Sequence, residues 1–187
     1  MSLKKSLNIT ESIKWFSDGN ILAHPTEGVW GLGCNALDVS AYRSLFALKK
    51  RDTKNSFILL SRSLQSIKKY IQTLSLSDES LLNNTWPGPV TFVIKYNNAI
   101  PEHLKNDTGK LAFRVSNHYP IKALLKDFDG LFASTSANIS GEPSLQFPQE
   151  IIDIFANDNL AYYDEKLGKE MKPSTIIDLE TKKILRH

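Results

Sequence analysis

The apolar positions of the chain fall into short blocks with two rhythms. Continuous or alternating runs of strand length occur at Ile21-Leu22-Ala23, Phe57-Ile58-Leu59-Leu60, Val90-Thr91-Phe92-Val93-Ile94, Leu111-Ala112-Phe113-Arg114-Val115 and Leu131-Phe132-Ala133. Tyr162-Tyr163 reads as a short strand, and Thr175–Leu179 with Lys183–Leu185 as a final hairpin over Glu180-Thr181. Between these lie segments with helical spacing. Thr10 is placed to cap a helix carrying Ile13 and Phe16 that stops near Gly19. Asp38 or Ser40 caps the next, with Leu45, Phe46 and Leu48 on its apolar side and Lys49-Lys50-Arg51 at its end. Ser61 or Ser63 opens a helix through Leu64, Ile67, Tyr70 and Ile71. Ser77-Asp78-Glu79-Ser80 begins a turn or two that Trp86-Pro87-Gly88-Pro89 breaks. A helix follows Pro120 through Leu124 and Leu125, and Pro148 suits the first turn of one containing Ile151, Ile152 and Phe155. Strands and helices intermix, so the fold class is α/β or α+β.

Composition narrows this picture. A length of 187 residues suits a single domain over residues 1–187, and 41% hydrophobic residues are enough for a real core. No apolar run approaches the roughly 18 residues of a membrane span, and the basic tip Lys4-Lys5 is not followed by a long apolar segment. Membrane association and secretion are therefore not expected. The single cysteine, Cys34, excludes an internal disulfide and a cysteine-rich zinc site, and points to the cytoplasm. The formal charge of +3 permits an anionic partner without requiring one.

Three runs follow apolar stretches and carry chemistry. They are His24-Pro25-Thr26-Glu27 with Gly31-Leu32-Gly33 behind it, Lys49-Lys50-Arg51, and Ser134-Thr135-Ser136-Ala137-Asn138-Ile139-Ser140-Gly141. Together they supply fixed cations, small hydroxyls and close-approach glycines, the equipment for holding a polyphosphate and a small polar co-substrate. Lys49 is a compact point charge and Arg51 a planar fork for phosphate. Residues two apart do not share a helix face, so both reach one site only if the helix ends there; a solvated basic helix end is the plainer reading. Ser134, Ser136 and Asn138 would share a face in extended backbone, or serve ordinary turn chemistry. Thr26 and Glu27 could cap a turn. Arg114 sits mid-strand among apolar residues, where its charge needs a partner such as Glu27. Trp86 beside a rigid Pro-Gly-Pro turn reads as core.

In these residues the chain resembles the threonylcarbamoyl-AMP synthase family, the YrdC-domain (TsaC) group. Pro25-Thr26-Glu27, Lys49-Lys50-Arg51, Trp86-Pro87-Gly88-Pro89-Val90-Thr91, Arg114-Val115 and Ser136-Ala137-Asn138-Ile139-Ser140-Gly141 occur in the family's order and span about two thirds of the chain. The resemblance implies a twisted mixed sheet surrounded by helices, with a large concave substrate groove. It implies an enzyme that joins L-threonine, bicarbonate or CO2, and ATP into threonylcarbamoyl-AMP, releasing pyrophosphate, with Mg2+ carried in by the nucleotide and no protein-bound structural metal. Lys49 and Arg51 would be the catalytic pair on the ATP phosphates, with Lys54 a further basic candidate and Ser136 and Asn138 completing the nucleotide site. Thr26, Arg114, Ser134 and Ser174 would hold threonine. The product would pass to proteins that transfer threonylcarbamoyl to tRNA reading ANN codons, and weak contact of this chain with tRNA is compatible with that role.

Other motifs are weaker. Gly31-Leu32-Gly33-Cys34-Asn35-Ala36 fits a loose dinucleotide fingerprint, but the tight strand-to-helix turn it needs is missing. No Lys-Ser/Thr follows Gly33 as in a P-loop, no G-x-S-x-G elbow occurs, and the histidines lack metal-ligand spacing. The alternative function is a non-catalytic module that holds double-stranded RNA or tRNA in a basic groove. The chain lacks the aromatic pattern of single-strand readers and a dense Lys/Arg stripe. A relative that works from carbamoyl phosphate is a third reading; such domains sit in larger proteins with acylphosphatase parts.

Overall fold

The computed structural model describes residues 5–52, 56–169 and 174–186. Its backbone is a ten-stranded sheet in the order β1-β8-β2-β3-β7-β4-β6-β5-β9-β10. The strands are β1 (Ser6–Leu7), β2 (Ile21–Pro25), β3 (Trp30–Asn35), β4 (Ile58–Leu60), β5 (Val90–Lys95), β6 (Lys110–Arg114), β7 (Phe132–Ser136), β8 (Leu160–Tyr163), β9 (Thr175–Asp178) and β10 (Ile184–Arg186). Parallel pairs (β2 with β8, β4 with β6, β5 with β9) stand among antiparallel ones (β2 with β3, β3 with β7, β5 with β6), so the sheet is mixed, as expected. The helices are α1 (Ile9–Ser17), α2 (Val39–Lys49), α3 (Leu64–Lys68), α4 (Leu76–Thr85), α5 (Tyr119–Leu125) and α6 (Pro148–Phe155).

Local chemistry fixes the helix ends. Asn8, not Thr10, caps α1: its side chain accepts the Glu11 amide while Glu11 reaches back to the Asn8 amide, closing a capping box. Asp38 caps α2 through the Ser40 and Ala41 amides, and Ser63 and Ser75 cap α3 and α4. Helix α3 stops at Lys68, short of the expected Tyr70 and Ile71, and Ile71 instead bridges to Tyr96 of the neighbouring segment.

Two strands depart from the expected pattern. Gly31-Leu32-Gly33, where no strand is predicted, is the middle of β3, paired on both sides. Glycine lowers strand propensity, yet here it makes room. A Cβ on Gly33 would come 2.2 Å from the Phe132 ring, and one on Gly31 would come 2.7 Å from the His24 ring. Both rings belong to flanking strands and lie over β3. Strand β7 likewise runs on through Ser136 rather than ending at Ala133, because β3 and β4 supply partners for Thr135 and Ser134.

Residues opposite one another in a ladder share a face. One face carries Ala23, Leu32, Cys34, Leu59, Phe113 and Ala133, buried beneath Ala41, Tyr42, Leu45 and Phe46 of α2. The other carries Leu22, Leu60 and Phe132, covered by Phe16 of α1 and Ile121, Leu124 and Leu125 of α5. Past the edge of that second cover, the same face continues as Ser134, Ser136, Ile58 and Ala112 and opens into a cavity.

Candidate active site

The cavity, of about 320 Å³, is walled by segments far apart in sequence. Thr26, Glu27 and Gly31 come from the β2–β3 hairpin, Arg51 and Ile58 from the α2–β4 connection and strand, and Arg114 from β6. Ser134 and Ser136 come from β7, and Ser174, Ile176 and Arg186 from the last hairpin. Thr26, Arg51, Arg114, Ser134, Ser136 and Ser174 are thus brought to one wall. Lys49 and Asn138 stand just behind it, joined to Ser136, while Lys54 lies outside the described residues.

The end of α2 explains how Lys49 and Arg51 both serve one region. Ala41, Tyr42, Leu45, Phe46 and Lys49 are the buried residues of the helix and form one stripe at helical spacing, so Lys49 continues an inward face. Lys50 then adopts a left-handed conformation (φ 48) and stops the helix. The Arg51 amide bonds back to the Phe46 carbonyl, and its side chain departs in another direction, into the cavity wall. Arg51 lies over the Phe57 ring at 5.5 Å, and burial lowers its pKa from the ordinary value.

Lys49 is only 1% exposed. Its Nζ donates to the carbonyl of Ser136 (2.6 Å), the carbonyl of Asn138 (2.5 Å) and Asn138 Oδ1 (2.7 Å). Ser136 Oγ donates to the same Oδ1, and Asn138 Nδ2 donates to the Glu142 carbonyl. A buried ammonium therefore ties down the Ser136–Asn138 turn through neutral oxygens. Burial, and secondarily the Arg51 charge, push its pKa down to about 8.

At the opposite end Arg114 is held by charge. Its Nη2 lies 2.6 Å from Glu27 Oε1, which also accepts from Ser116 Oγ at 2.6 Å. Arg114 Nε donates to the carbonyl of Gly88. Trp86 is core as expected: it packs edge-on against Phe92, and its Nε1 donates to the Val90 carbonyl. The turn that follows it also aims a carbonyl at Arg114, a contribution that reading Trp86 as packing alone left out.

Thr26 Oγ1 donates to the Val29 carbonyl (2.6 Å) and accepts the Gly28 and Val29 amides, so it knots its own turn while lining the cavity. Ser134 Oγ sits 3.1 Å from Nε2 of the buried His24. Ser174 Oγ shares a hydrogen bond with Thr91.

Arg186 is the wall residue that sequence reasoning missed. It donates to the Ser174 carbonyl (2.8 Å) and lies close enough to Arg114 that burial and then the Arg114 charge lower its pKa. The signal available was register. The observed final hairpin sets Arg186 opposite Ile176, two residues from Ser174, through a register shift after Ile184; the predicted strand ends at Leu185 and leaves Arg186 out. Three arginines thus line the described wall against one carboxylate, Glu27. Among the described residues no group of three or more His, Cys, Asp or Glu side chains gathers to hold a metal, and no helix is long and apolar enough to cross a membrane.

Comparison with known proteins agrees with this geometry. A family profile of the Sua5/YciO/YrdC type, described as "Telomere recombination", matches residues 14–187. The chain is 36% identical over 168 residues to a threonylcarbamoyl-AMP synthase of Cellvibrio japonicus, covering 90% of this chain and 89% of that one. It is 34% identical over 178 residues to a protein of the same name from Chromohalobacter salexigens, covering 95% and 96%. Among solved structures, P. abyssi Sua5 complexed with L-threonine superposes with a TM-score of 0.85 at 27% identity, over 95% of this chain but 54% of that one, so this chain spans about half of Sua5. E. coli YciO has the same fold, with a TM-score of 0.85 at 24% identity over 100% of this chain and 96% of that one. With the profile covering most of its length and relatives above 30% identity along nearly all of it, the chain belongs to the Sua5/YciO/YrdC family.

Proposed function

We propose that the protein is a threonylcarbamoyl-AMP synthase, a nucleotidyltransferase that makes threonylcarbamoyl-AMP and pyrophosphate from L-threonine, bicarbonate or CO2, and ATP. The observation that carries this reading is the convergence of Thr26, Arg51, Arg114, Ser134, Ser136 and Ser174 on one cavity wall, in a chain whose relatives bear that name.

The threonine amine takes up CO2 as a carbamate, and a carbamate oxygen attacks the α-phosphorus of ATP as pyrophosphate leaves. No covalent bond to the protein is needed, so the protein's part is positioning and charge neutralisation. Arg51 faces the polyphosphate. Lys49 acts on the nucleotide by holding the Ser136–Asn138 turn rigid, and Ser136 and Asn138 present that turn to it. Lys54 completes the basic group. Arg114, oriented by Glu27 and the Gly88 carbonyl, takes the threonine carboxylate; Thr26, Ser134 and Ser174 surround the rest of the amino acid. Mg2+ arriving with the nucleotide supplies further neutralisation, and the phosphate oxygens are its fitting ligands. A single domain over residues 1–187, acting in the cytoplasm, hands the product to proteins that transfer threonylcarbamoyl to tRNA.

The test is pyrophosphate release by the purified protein. Release that requires ATP, L-threonine and bicarbonate together is expected. ATP hydrolysis indifferent to threonine, or no nucleotide binding at all, would overturn the reading.

A further inference from the structure

A second pocket, of about 290 Å³, shares no wall residue with the cavity described above. It is built where β4 and β6 end beside α5. The Ser61 amide donates to the Arg114 carbonyl, continuing the β4–β6 ladder, and Ser116 lies just beyond Arg114 on the neighbouring strand. Ile121 and Leu125, one helical turn apart on the buried side of α5, supply the apolar part of the wall. Lys122 and Lys126, also one turn apart, supply its charge together with Arg62.

No carboxylate lines this pocket. Arg62 is partly offset by Asp129, which also holds Lys69. Lys122 and Lys126 are exposed and make no ion pair among the described residues. Two exposed lysines at a helix end are ordinarily a solvated face that suits the helix dipole. Ser61 argues for more. It is 2% exposed, and its hydroxyl has no hydrogen-bond partner. The other wall hydroxyls are engaged: Ser63 caps α3, and Ser116 donates to Glu27. A buried hydroxyl left unpaired costs free energy, and such a group in a folded protein calls for an explanation. A ligand in the pocket supplies one.

The donors set the ligand's chemistry. Ammonium groups and a hydroxyl that can donate require an acceptor-rich anion. A phosphate monoester carries a charge of about −1.5 to −2 at pH 7 and three strong acceptor oxygens, which matches two unpaired lysines and the Ser61 hydroxyl. A carboxylate brings less charge and fewer acceptors. With water at about 30 Å³ per molecule, the pocket is larger than a phosphate group fills, and Ile121 and Leu125 offer the remainder an apolar surface.

We propose that this pocket binds the phosphate of a small phosphate monoester whose organic part rests against Ile121 and Leu125. The site is independent of the reaction proposed above. It adjoins that machinery, because Ser116 Oγ also holds the Glu27 carboxylate that pairs with Arg114.

The test is amide NMR of the full chain titrated with phenyl phosphate, inorganic phosphate and a short RNA oligonucleotide. Phenyl phosphate should shift the amides of Ser61, Arg62, Ser116 and Lys122, at lower concentration than inorganic phosphate does. Replacing both exposed lysines, Lys122→Ala with Lys126→Ala, should weaken that response about tenfold or more. Ser61→Ala should weaken it about three- to tenfold, the worth of one hydrogen bond. The same change should not lower the melting temperature of the unliganded protein, because it removes an unpaired buried hydroxyl. Shifts confined to the cavity of Arg51 and Ser136, or an unchanged response in the lysine variant, overturn the proposal. Inorganic phosphate binding as well as phenyl phosphate overturns the monoester, and tighter binding of RNA at these amides overturns the small-molecule occupant. A melting temperature lowered by Ser61→Ala with affinity unchanged would give the hydroxyl a packing role and overturn its part in the site.

Discussion

Two buried cations flank the cavity, and they are held in opposite ways. Lys49 is surrounded by neutral oxygens: two carbonyls and a carboxamide of the turn it anchors. Arg114 is neutralised by a carboxylate, Glu27, with a carbonyl and a serine completing the arrangement. At the Lys49 end the protein keeps its positive charge uncancelled by Lys49's own contacts, which suits a polyanion. At the Arg114 end Glu27 offsets one charge and the neighbouring Arg186 leaves one positive charge over, which suits one carboxylate of a small zwitterion. The same residue class, a buried base, is therefore held in two different electrostatic settings according to what pairs with it.

The contrast is broken most severely at Arg114. Arg114→Ala takes the guanidinium partner from Glu27 in a site where the Glu27 side chain is 14% exposed, so a loss of about 3–5 kcal/mol is expected in denaturant unfolding. Adding Glu27→Ala should restore part of that stability without restoring activity.

A second effect of about 3 kcal/mol comes from His24. Its folded pKa is about 4 against 6.5 ordinarily. Below pH 6.5 the unfolded chain takes up a proton that the folded one refuses. Stability is therefore full above pH 6.5 and is lost as the pH falls towards about 4. Urea unfolding in that range should give a smaller pH slope for His24→Phe than for wild type; equal slopes would contradict the burial argument.

Lys49→Ala should cost less, about 1–3 kcal/mol, because it orphans carbonyls without stranding a charge. The fold should persist by circular dichroism while pyrophosphate release disappears. In wild type, activity should decline above about pH 8 as the amine loses its proton and a donor to the turn. The exposed pair Lys14–Asp18 sets the lower end of the scale: Asp18→Ala should change stability by only about 0.3–0.5 kcal/mol.

Much of this was legible in the chain. Motif order located most of the cavity wall, because each run lies at or just past the end of a strand or helix that faces the same opening. Helix starts were nearly right because caps are local; Asn8 was passed over for Thr10 although its capping box with Glu11 is written in the sequence. What stayed hidden depends on partners distant in sequence. Gly31 and Gly33 belong to a strand because His24 and Phe132 need the space above them. Lys49 faces carbonyls about 90 residues away, a contact that no spacing rule within the helix could supply. Arg186 reaches the wall only through the register of the last hairpin.

The claim that the two ends of the cavity receive different ligands is tested most directly by pyrophosphate-release kinetics of Arg51→Lys and Arg114→Lys. Lysine keeps the charge and loses the planar fork. The account predicts that Arg51→Lys raises the KM for ATP with the KM for threonine little changed, and that Arg114→Lys does the reverse. If both substitutions shift the same substrate, or each shifts both equally, the division of the site is wrong.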